Sequence, residues 1–170
     1  YTVQSWMIVE HILETWEEAT PPRIAVIYQD DDMGHDGMDG LHEAIEAYGL
    51  ELVAEERYKR GAIDFSSQVL NLKRKEATHV ILWTIYRECA AILKKANQVG
   101  FSPTFIGGSP VCDTKVLELA GKDANGFLAL APMNLWSKNP SKKLRKYWEL
   151  VGKQSPPREV AIIHSIGFSM

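Results

Sequence analysis

Short apolar runs alternate with segments of helical hydrophobic spacing along the chain. Five of the runs have the length and the β-branched or aromatic content of strands. They are residues 23–28, 50–58, 79–83, 104–106 and 126–131. The third run, HVILW, is nearly all apolar, which is typical of a parallel strand covered on both faces. The pattern therefore predicts five strands, each separated from the next by a helix.

Apolar residues at helical spacing predict the helices. The first set is Trp6, Val9, either Ile12 or Leu13, and Trp16. This helix must end before Pro21, because proline lacks a backbone donor and restricts the residue before it. Further helices are predicted at residues 34–48, from about residue 65 on the Phe65, Val69 and Leu72 face, and at 87–99, 114–120, 141–151 and 160–170. Gly49 and Gly100 stand where a glycine commonly ends a helix.

Strands that alternate with helices predict an α/β fold. We expect a three-layer α/β/α sandwich around a mainly parallel five-stranded sheet, with right-handed crossovers and the flavodoxin-like strand order 2-1-3-4-5. The connectors at residues 20–22 and 154–157 do not divide the chain, so residues 1–170 are expected to form a single α/β lobe. The chain starts without Met and stops within an apolar helical run, so we expect it to be a fragment.

Composition narrows the choice of partner. The 170 residues are 45% hydrophobic and carry a net charge of -3, so the chain suits one globular domain and gives no basic footprint for nucleic acid. No run approaches the roughly 18 apolar residues of a membrane span. A small soluble ligand or a protein partner is therefore expected, and no nucleic acid.

The turn after the first strand, QDDDMGHDG, excludes two nucleotide or phosphate chemistries. A dinucleotide site requires G-x-G-x-x-G there, and three aspartates would repel a phosphate, so no nucleotide cofactor is expected. A phosphoacceptor receiver domain would carry an aspartate at the end of the third strand and a lysine at the end of the fifth. Here the third strand ends Trp83-Thr84-Ile85-Tyr86, and Pro132-Met133 follows the fifth.

The same turn raises the question of a metal. Its carboxylates and imidazoles are Asp30, Asp31, Asp32, His35, Asp36, Asp39 and His42. Gly34 stands where a calcium loop needs its third oxygen ligand. Acidic residues are also favoured near a helix N-terminus, and the rest lie on the face expected to meet solvent. We therefore predict no metal site and no other cofactor.

Nucleophiles and thiols leave further alternatives open. The candidate nucleophiles do not lie in a G-x-S-x-G elbow, so an α/β hydrolase-like enzyme is an unsupported alternative; they are Ser66, Ser67, Ser109, Cys89 and Cys112. Cys89 and Cys112 lack metal spacing, and each lies near the end of a neighbouring strand, so a bridge between them stays open.

The residues that follow the strand ends form the predicted ligand site. Ligands of such sheets bind beyond the carboxyl ends of the strands. The predicted site residues are Met33, Gly34, Thr84, Ile85, Tyr86, Gly108, Ser109 and Met133, with Gly107 and Pro110 beside them. They mix apolar surface, hydroxyl groups and glycines that let backbone amides approach a ligand, as small-molecule pockets do.

Several longer motifs make the chain recognisable. They are RIAVIYQDDDMGHDGMDGLHEAIEAYGLELVAEERY, DFSSQVLNLKRKEATHVIL, RECAAILKKANQVGF, PTFIGGS and LAGKDANGFLALAP. In order and spacing they resemble the second lobe of type 1 periplasmic binding proteins, the solute receptors of ABC importers for branched-chain and related amino acids. The resemblance runs from about residue 23 to residue 132. It implies the type I periplasmic-binding-protein fold, in which two hinged lobes close on a ligand as a clamshell.

The resemblance also implies partners and a location. They are a small-molecule ligand (an amino acid or small carboxylic acid), an N-terminal lobe of the same protein and an ABC permease in the membrane. The location is periplasmic or extracellular, with or without a lipid anchor. A ligand-sensing domain of a receptor or regulator has the same lobe and stays an alternative.

Three positions depart from the family pattern. Amino-acid-binding members carry an aromatic residue, a second aromatic residue and an acid where this chain has Met33, Ile85 and Ser109. Tyr86 can supply an aromatic wall, but an ammonium without an acid partner would be costly in a closing cleft. The resemblance therefore points to an amino acid or a related, more apolar or anionic organic acid.

Overall fold

The computed structural model describes residues 1–131, in which helices and strands alternate. The α-helices are α1 Thr2–Thr15, α2 Asp32–Ala47, α3 Ser66–Arg74, α4 Tyr86–Gln98 and α5 Thr114–Ala120. The strands are β1 Ile24–Gln29, β2 Leu52–Tyr58, β3 His79–Trp83, β4 Thr104–Gly107 and β5 Leu128–Ala129. The helices predicted at 141–151 and 160–170, the connector at 154–157 and Met133 lie outside the described residues.

Every element predicted within this range is present. The predicted and observed elements differ only in the residues at which they begin and end. The third strand and the fifth helix have the predicted bounds. Helix α2 begins two residues early because the Asp31 side chain caps it by accepting from the Gly34 N–H. Strand β5 begins two residues late because Gly126 adopts a left-handed φ of 80° and the Phe127 N–H bonds back to the Ala124 carbonyl in a turn. The glycine ends of α2 and α4 are confirmed, since Gly49 and Gly100 have φ of 62° and 64°.

The sheet has the predicted topology. Its strand order is β2-β1-β3-β4-β5, and every pairing is parallel. In the register, Tyr28 stands opposite Trp83, and Leu82 stands opposite Gly107. The carboxyl ends of β1, β3 and β4 therefore lie side by side at one edge.

Alternate residues of the strands face two separate cores, which gives the three layers. On one face, Ile27 of β1 and Leu82 of β3 pack with Val69 of α3, Ile92 of α4 and Val116 of α5. These side chains are all fully buried. The α/β/α arrangement is confirmed on this side by the three helices that cover it.

The opposite face is covered by the first two helices. Val26 of β1 and Ile81 of β3 pack there with Ile8 of α1 and Leu41 of α2. The near-continuous burial of β3 follows, because all five of its residues are covered on one face or the other. In residues 1–131, no helix has the length and apolar character needed to cross a bilayer.

Candidate functional site

The structure brings the strand-end residues together at one edge of the sheet. Met33 and Gly34 lie in the first turn of α2, directly after β1. Thr84, Ile85 and Tyr86 follow β3, and Gly108 and Ser109 follow β4. This edge, here called the carboxyl edge, is defined by those seven residues, and Met133 lies outside the described range. Because parallel strands end at the same edge, the sequence pattern was sufficient to group these residues.

The acidic turn is used to build the start of α2. Asp31 Oδ1 accepts from the Gly34 N–H at 3.1 Å, and its other oxygen accepts from the Gln29 side chain. A Cβ at Gly34 would overlap the Gln29 carbonyl oxygen, so only glycine fits. The turn therefore positions Met33 at the edge through backbone contacts that a larger residue would block.

His35 and His42 each lie close to a carboxylate at the surface. Asp30 lies 3.1 Å from His35, and His42 lies 2.9 Å from Glu55. In residues 1–131, no group of three or more histidine, cysteine, aspartate or glutamate side chains is placed to hold a metal ion. The described part of the turn thus serves helix capping and surface pairing.

Trp83, at the end of β3, forms the floor beneath the carboxyl edge. Its side chain is fully buried, with the Tyr1 ring at a centroid distance of 5.5 Å. A Cβ at Gly37 would lie 2.5 Å from the indole, and a Cβ at Gly108 would overlap its benzo ring. Gly37 and Gly108 are therefore glycines because an indole occupies the space between α2 and β4. Sequence reasoning missed both Trp83 and Gly37. A tryptophan beside the aliphatic residues of a buried strand indicates that neighbouring elements must leave room for its ring.

Ser109 is held by a residue that sequence reasoning also missed. The Gln4 Nε2 donates to the Ser109 Oγ at 2.9 Å, and the Ser109 N–H donates to the Gln4 Oε1 at 2.9 Å. Gln4 is 105 positions away, and no local pattern links the two residues. The Ser109 hydroxyl is thus fixed by an amide, which is a neutral group and not a base.

Thr84 lies deeper than its neighbours at the edge. It is fully buried. Met33, Ile85 and Tyr86 are half-buried and so present part of their surface outward. The half-buried three form the accessible apolar surface of the edge, and Thr84 supports them from below.

The two cysteines are separate thiols. Both are free, with Cys89 buried in α4 and Cys112 half-buried. Burial raises the pKa of Cys89 well above its usual range and raises the pKa of Cys112 to about 11. Both groups are therefore protonated at neutral pH, whereas a nucleophilic cysteine needs its thiolate.

Two hollows lie at opposite edges of the sheet. One of about 440 Å³ lies next to the carboxyl edge and is lined by Ile85 and Tyr86 together with the loop after β2. The other, of about 570 Å³, lies beside the start of β4 and is lined by Thr104, Asn97 and Asp123 among others. The larger hollow is at the amino end of the strands, away from the predicted site.

Comparison with known proteins decides the family. The family model described as "Periplasmic binding protein" matches residues 1–167. The chain belongs to this family. The resemblance seen in the sequence is confirmed. The strand order of this periplasmic binding protein fits the type I fold of its structural neighbours.

Comparison with named relatives shows what fraction of a periplasmic binding protein this chain spans. It is 26% identical over 118 residues to the Leu/Ile/Val/Thr-binding protein of Salmonella typhimurium, a match that covers 69% of this chain and 32% of the relative. It is 31% identical over 87 residues to the Leu/Ile/Val-binding protein homolog 8 of Brucella abortus, covering 51% of this chain and 22% of the relative. The chain thus spans a third or less of the length of these relatives.

Solved structures share the fold. A putative branched-chain amino acid ABC transporter protein from Rhodospirillum rubrum matches with a TM-score of 0.78 at 19% identity, covering 94% of this chain and 45% of that one. A branched chain amino acid ABC transporter protein from Thermus thermophilus, solved with bound valine, matches with a TM-score of 0.75 at 20% identity, covering 94% and 41%. At this level of identity, the likeness is one of fold.

Proposed function

We propose that this chain is one lobe of a two-lobed solute-binding protein of an ABC importer. The protein captures a small amino acid or a related organic acid by clamshell closure and delivers it to a membrane permease. The observation that carries this proposal is the family match over residues 1–167 of a chain that covers less than half of its structural neighbours. The whole protein would act in the periplasm or outside the cell.

The carboxyl edge is the proposed ligand-binding surface of this lobe. Met33 and Ile85 would supply apolar contact and Tyr86 an aromatic wall. Gly34 and Gly108 lie within this surface, where the Gln29 carbonyl and the Trp83 indole leave no room for a Cβ. Ser109 would present a hydroxyl to the ligand, while the buried Thr84 keeps the surface in place. Such a mixture of apolar walls and a few polar groups suits a small molecule.

The choice of ligand depends on whether the edge offers a negative charge at the position of Ser109. Relatives named for leucine, isoleucine and valine, and a neighbour with bound valine, support an aliphatic amino acid. At Ser109, however, the edge offers a neutral hydroxyl bonded to a neutral amide, where amino-acid-binding members carry an acid. An uncompensated ammonium would be costly there, which favours an apolar organic acid such as an aromatic acid at this edge. Micromolar binding of leucine, isoleucine or valine at the edge would refute the preference for an organic acid.

A thermal-shift screen of the two-lobed protein against amino acids and small carboxylic acids tests the proposal. A ligand at about one hundred times its dissociation constant stabilises the native state by about 2.7 kcal/mol, which raises the melting temperature by several degrees. A rise with one compound class and none with its close analogues is the expected result. No rise with any amino acid or carboxylic acid would contradict the proposal.

A further inference from the structure

The sheet separates an acidic layer of helices from a basic one. Helices α1 and α2, which cover one face, contain seven Asp and Glu residues and no Lys or Arg. Helices α3, α4 and α5, which cover the other face, contain six Lys and Arg residues and two Glu, of which Glu88 is buried. The charge is thus strongly polarised across the sheet, although the whole chain has a net charge of only -3.

Five cations on the basic side gather towards the ends of α3 and α4. The Lys73 Nζ donates to the Val99 carbonyl at 2.5 Å, which joins the ends of these two helices. The Asn97 side chain donates to Asp123 at 2.6 Å, which holds the turn after α5 beside the end of α4. The surface assembled in this way, here called the basic surface, consists of the exposed residues Lys73, Arg74, Lys75, Lys94 and Lys122.

The positive charge of the basic surface is not neutralised by the described part of the chain. None of its five cations forms an ion pair within residues 1–131. The carboxylates next to them in sequence are Glu76 and Asp123, and Asp123 already accepts a hydrogen bond from an amide. An excess of positive charge on one face attracts an anionic partner and sets the direction of its approach.

Two exposed leucines lie within the same surface. Leu70 is 50% exposed and precedes Lys73 and Arg74 by one helical turn, so the three side chains share a face of α3. Leu119 is 42% exposed at the end of α5, next to the turn that carries Lys122. Apolar side chains between basic ones suit the boundary between lipid headgroups and acyl chains. A nucleic acid has no comparable apolar region to cover these leucines.

The larger hollow described above lies beside Lys122. Its volume is about 570 Å³, and its lining includes Lys122, Asn125, Ser102 and Thr104. The ammonium, amide and hydroxyl groups of these side chains can donate hydrogen bonds to phosphate and glycerol oxygens. The carboxylate in the lining, Asp123, is the one that accepts from the amide at 2.6 Å. The hollow therefore has room and donors for the headgroup of a phospholipid.

From these features we propose that the basic surface binds an anionic phospholipid bilayer. Headgroup phosphates lie at the five cations, and Leu70 and Leu119 reach the boundary of the acyl chains. The same bilayer repels the acidic layer, so one orientation is favoured, with α1 and α2 facing away. Because α3 and α4 begin at the carboxyl edge and end at the basic surface, the edge stays clear of the bilayer. The inference uses charges and exposure in this chain and does not rest on the proposed function.

Co-sedimentation of the two-lobed protein with sucrose-loaded vesicles tests the proposal, using protein that carries no lipid anchor. The anionic vesicles contain equal parts of phosphatidylglycerol and phosphatidylethanolamine, and the neutral vesicles contain phosphatidylcholine alone. In about 50 mM salt, we expect at least roughly tenfold tighter binding to the anionic vesicles. In about 0.5 M salt this binding should be lost, because the Debye length then falls to a few ångströms.

Matched charge variants assign the binding to the basic surface. Lys94→Gln combined with Lys122→Gln should weaken binding to the anionic vesicles by roughly tenfold or more, because each cation near such a surface contributes to the attraction. Lys59→Gln combined with Arg60→Gln makes the same change in net charge in the loop after β2, at the other end of α3. This control pair should weaken binding by less than about threefold.

A second pair of variants tests the apolar contact. Leu70→Ala should weaken binding to the anionic vesicles by roughly threefold, because half of the leucine surface is available for transfer into the bilayer. Ile63→Ala removes a more exposed side chain, 92% accessible, that lies outside the basic surface, and should leave binding unchanged.

Three results would overturn the inference. The first is equal binding to anionic and neutral vesicles, and the second is an equal loss of binding in the two charge variants. The third is salt-sensitive binding to duplex DNA, or salt-sensitive self-association, without binding to vesicles. It would assign the basic surface to a nucleic acid or to the acidic layer of a second copy. Each of these results leaves the proposed function standing, because solute capture is measured separately by the thermal-shift screen.

Discussion

The side-chain amide of Gln4 forms two hydrogen bonds with Ser109, one to its hydroxyl and one from its backbone N–H, both at 2.9 Å. The first turn of α1 is thereby fastened to the end of β4, at the edge where the ligand surface is proposed. A helix that precedes the sheet in sequence thus fixes a residue that follows its fourth strand.

Loss of the Gln4 amide should destabilise the lobe. Gln4→Ala removes both hydrogen bonds and leaves the half-buried Ser109 N–H without its partner, which should lower the free energy of unfolding by about 1 to 3 kcal/mol. Urea denaturation followed by circular dichroism measures the change. Gln98→Ala, at the exposed end of α4, is the matched control and should change the stability by less than about 0.5 kcal/mol. Equal effects of the two variants would show that the Gln4 contacts contribute nothing.

Gly108 and Trp83 should be energetically coupled. Gly108→Ala places a methyl group against the indole, and overpacking of this kind costs about 1 to 3 kcal/mol. Trp83→Phe removes the ring atoms that the new methyl group would meet. Gly108→Ala should therefore cost less in the Trp83→Phe background than in the wild type, as measured by a double-mutant cycle of unfolding free energies. An identical cost in both backgrounds would mean that the indole does not set the requirement for glycine.

The fold could be predicted from the sequence to the extent that its signals are local. HVILW and the Thr114–Ala120 helix were placed correctly because continuous apolar runs and helical spacing are properties of a few neighbouring residues. The ends of α2 and β5 were displaced because a side-chain cap at Asp31 and a turn at Gly126 decide them. Capping and left-handed turns depend on conformations that composition alone leaves open.

The free energy of unfolding should fall in mildly acidic solution because of His79. Burial lowers the pKa of this histidine below its ordinary value of 6.5. Below pH 6.5 the unfolded chain therefore binds a proton that the folded chain refuses, so the free energy of unfolding falls as the pH drops towards the folded-state pKa. The contribution is at most about 1.4 kcal/mol per pH unit for one proton.

A variant isolates that contribution. His79→Asn retains a polar group near the Thr78 hydroxyl, which lies 3.0 Å from the histidine Nδ1, and removes the titrating ring. Urea melts at several pH values between about 7.5 and 5.5 should show a shallower loss of stability in the variant than in the wild type. Parallel curves would show that His79 does not contribute to the pH dependence.

Both cysteines should be reduced and unreactive in the native state. Titration with a thiol reagent under denaturing, non-reducing conditions should count two thiols, since the structure has Cys89 and Cys112 free. In the native state at neutral pH, Cys112 should react slowly, and faster as the pH approaches its pKa of about 11. Cys89 should react more slowly still because it is buried. A count of zero under denaturing conditions would establish the bridge that the sequence left open.

The candidate site was only partly accessible to sequence reasoning. Met33, Ile85 and Ser109 were grouped because parallel strands end at one edge, a rule that needs only the order of elements. Gln4 and Trp83 were missed because their roles depend on contacts across the fold and on burial. The Gln4 to Ser109 contact spans 105 positions.

The central claim is that the carboxyl edge holds the ligand of the two-lobed protein. Isothermal titration of that protein with the compound found in the thermal-shift screen tests it most directly, using Met33→Ala and the matched control Met7→Ala on the half-buried side of α1. The account predicts a loss of about tenfold in affinity for Met33→Ala, since its thioether side chain would leave apolar contact with the ligand, and no loss for Met7→Ala. Equal affinities in the wild type and both variants would contradict the account.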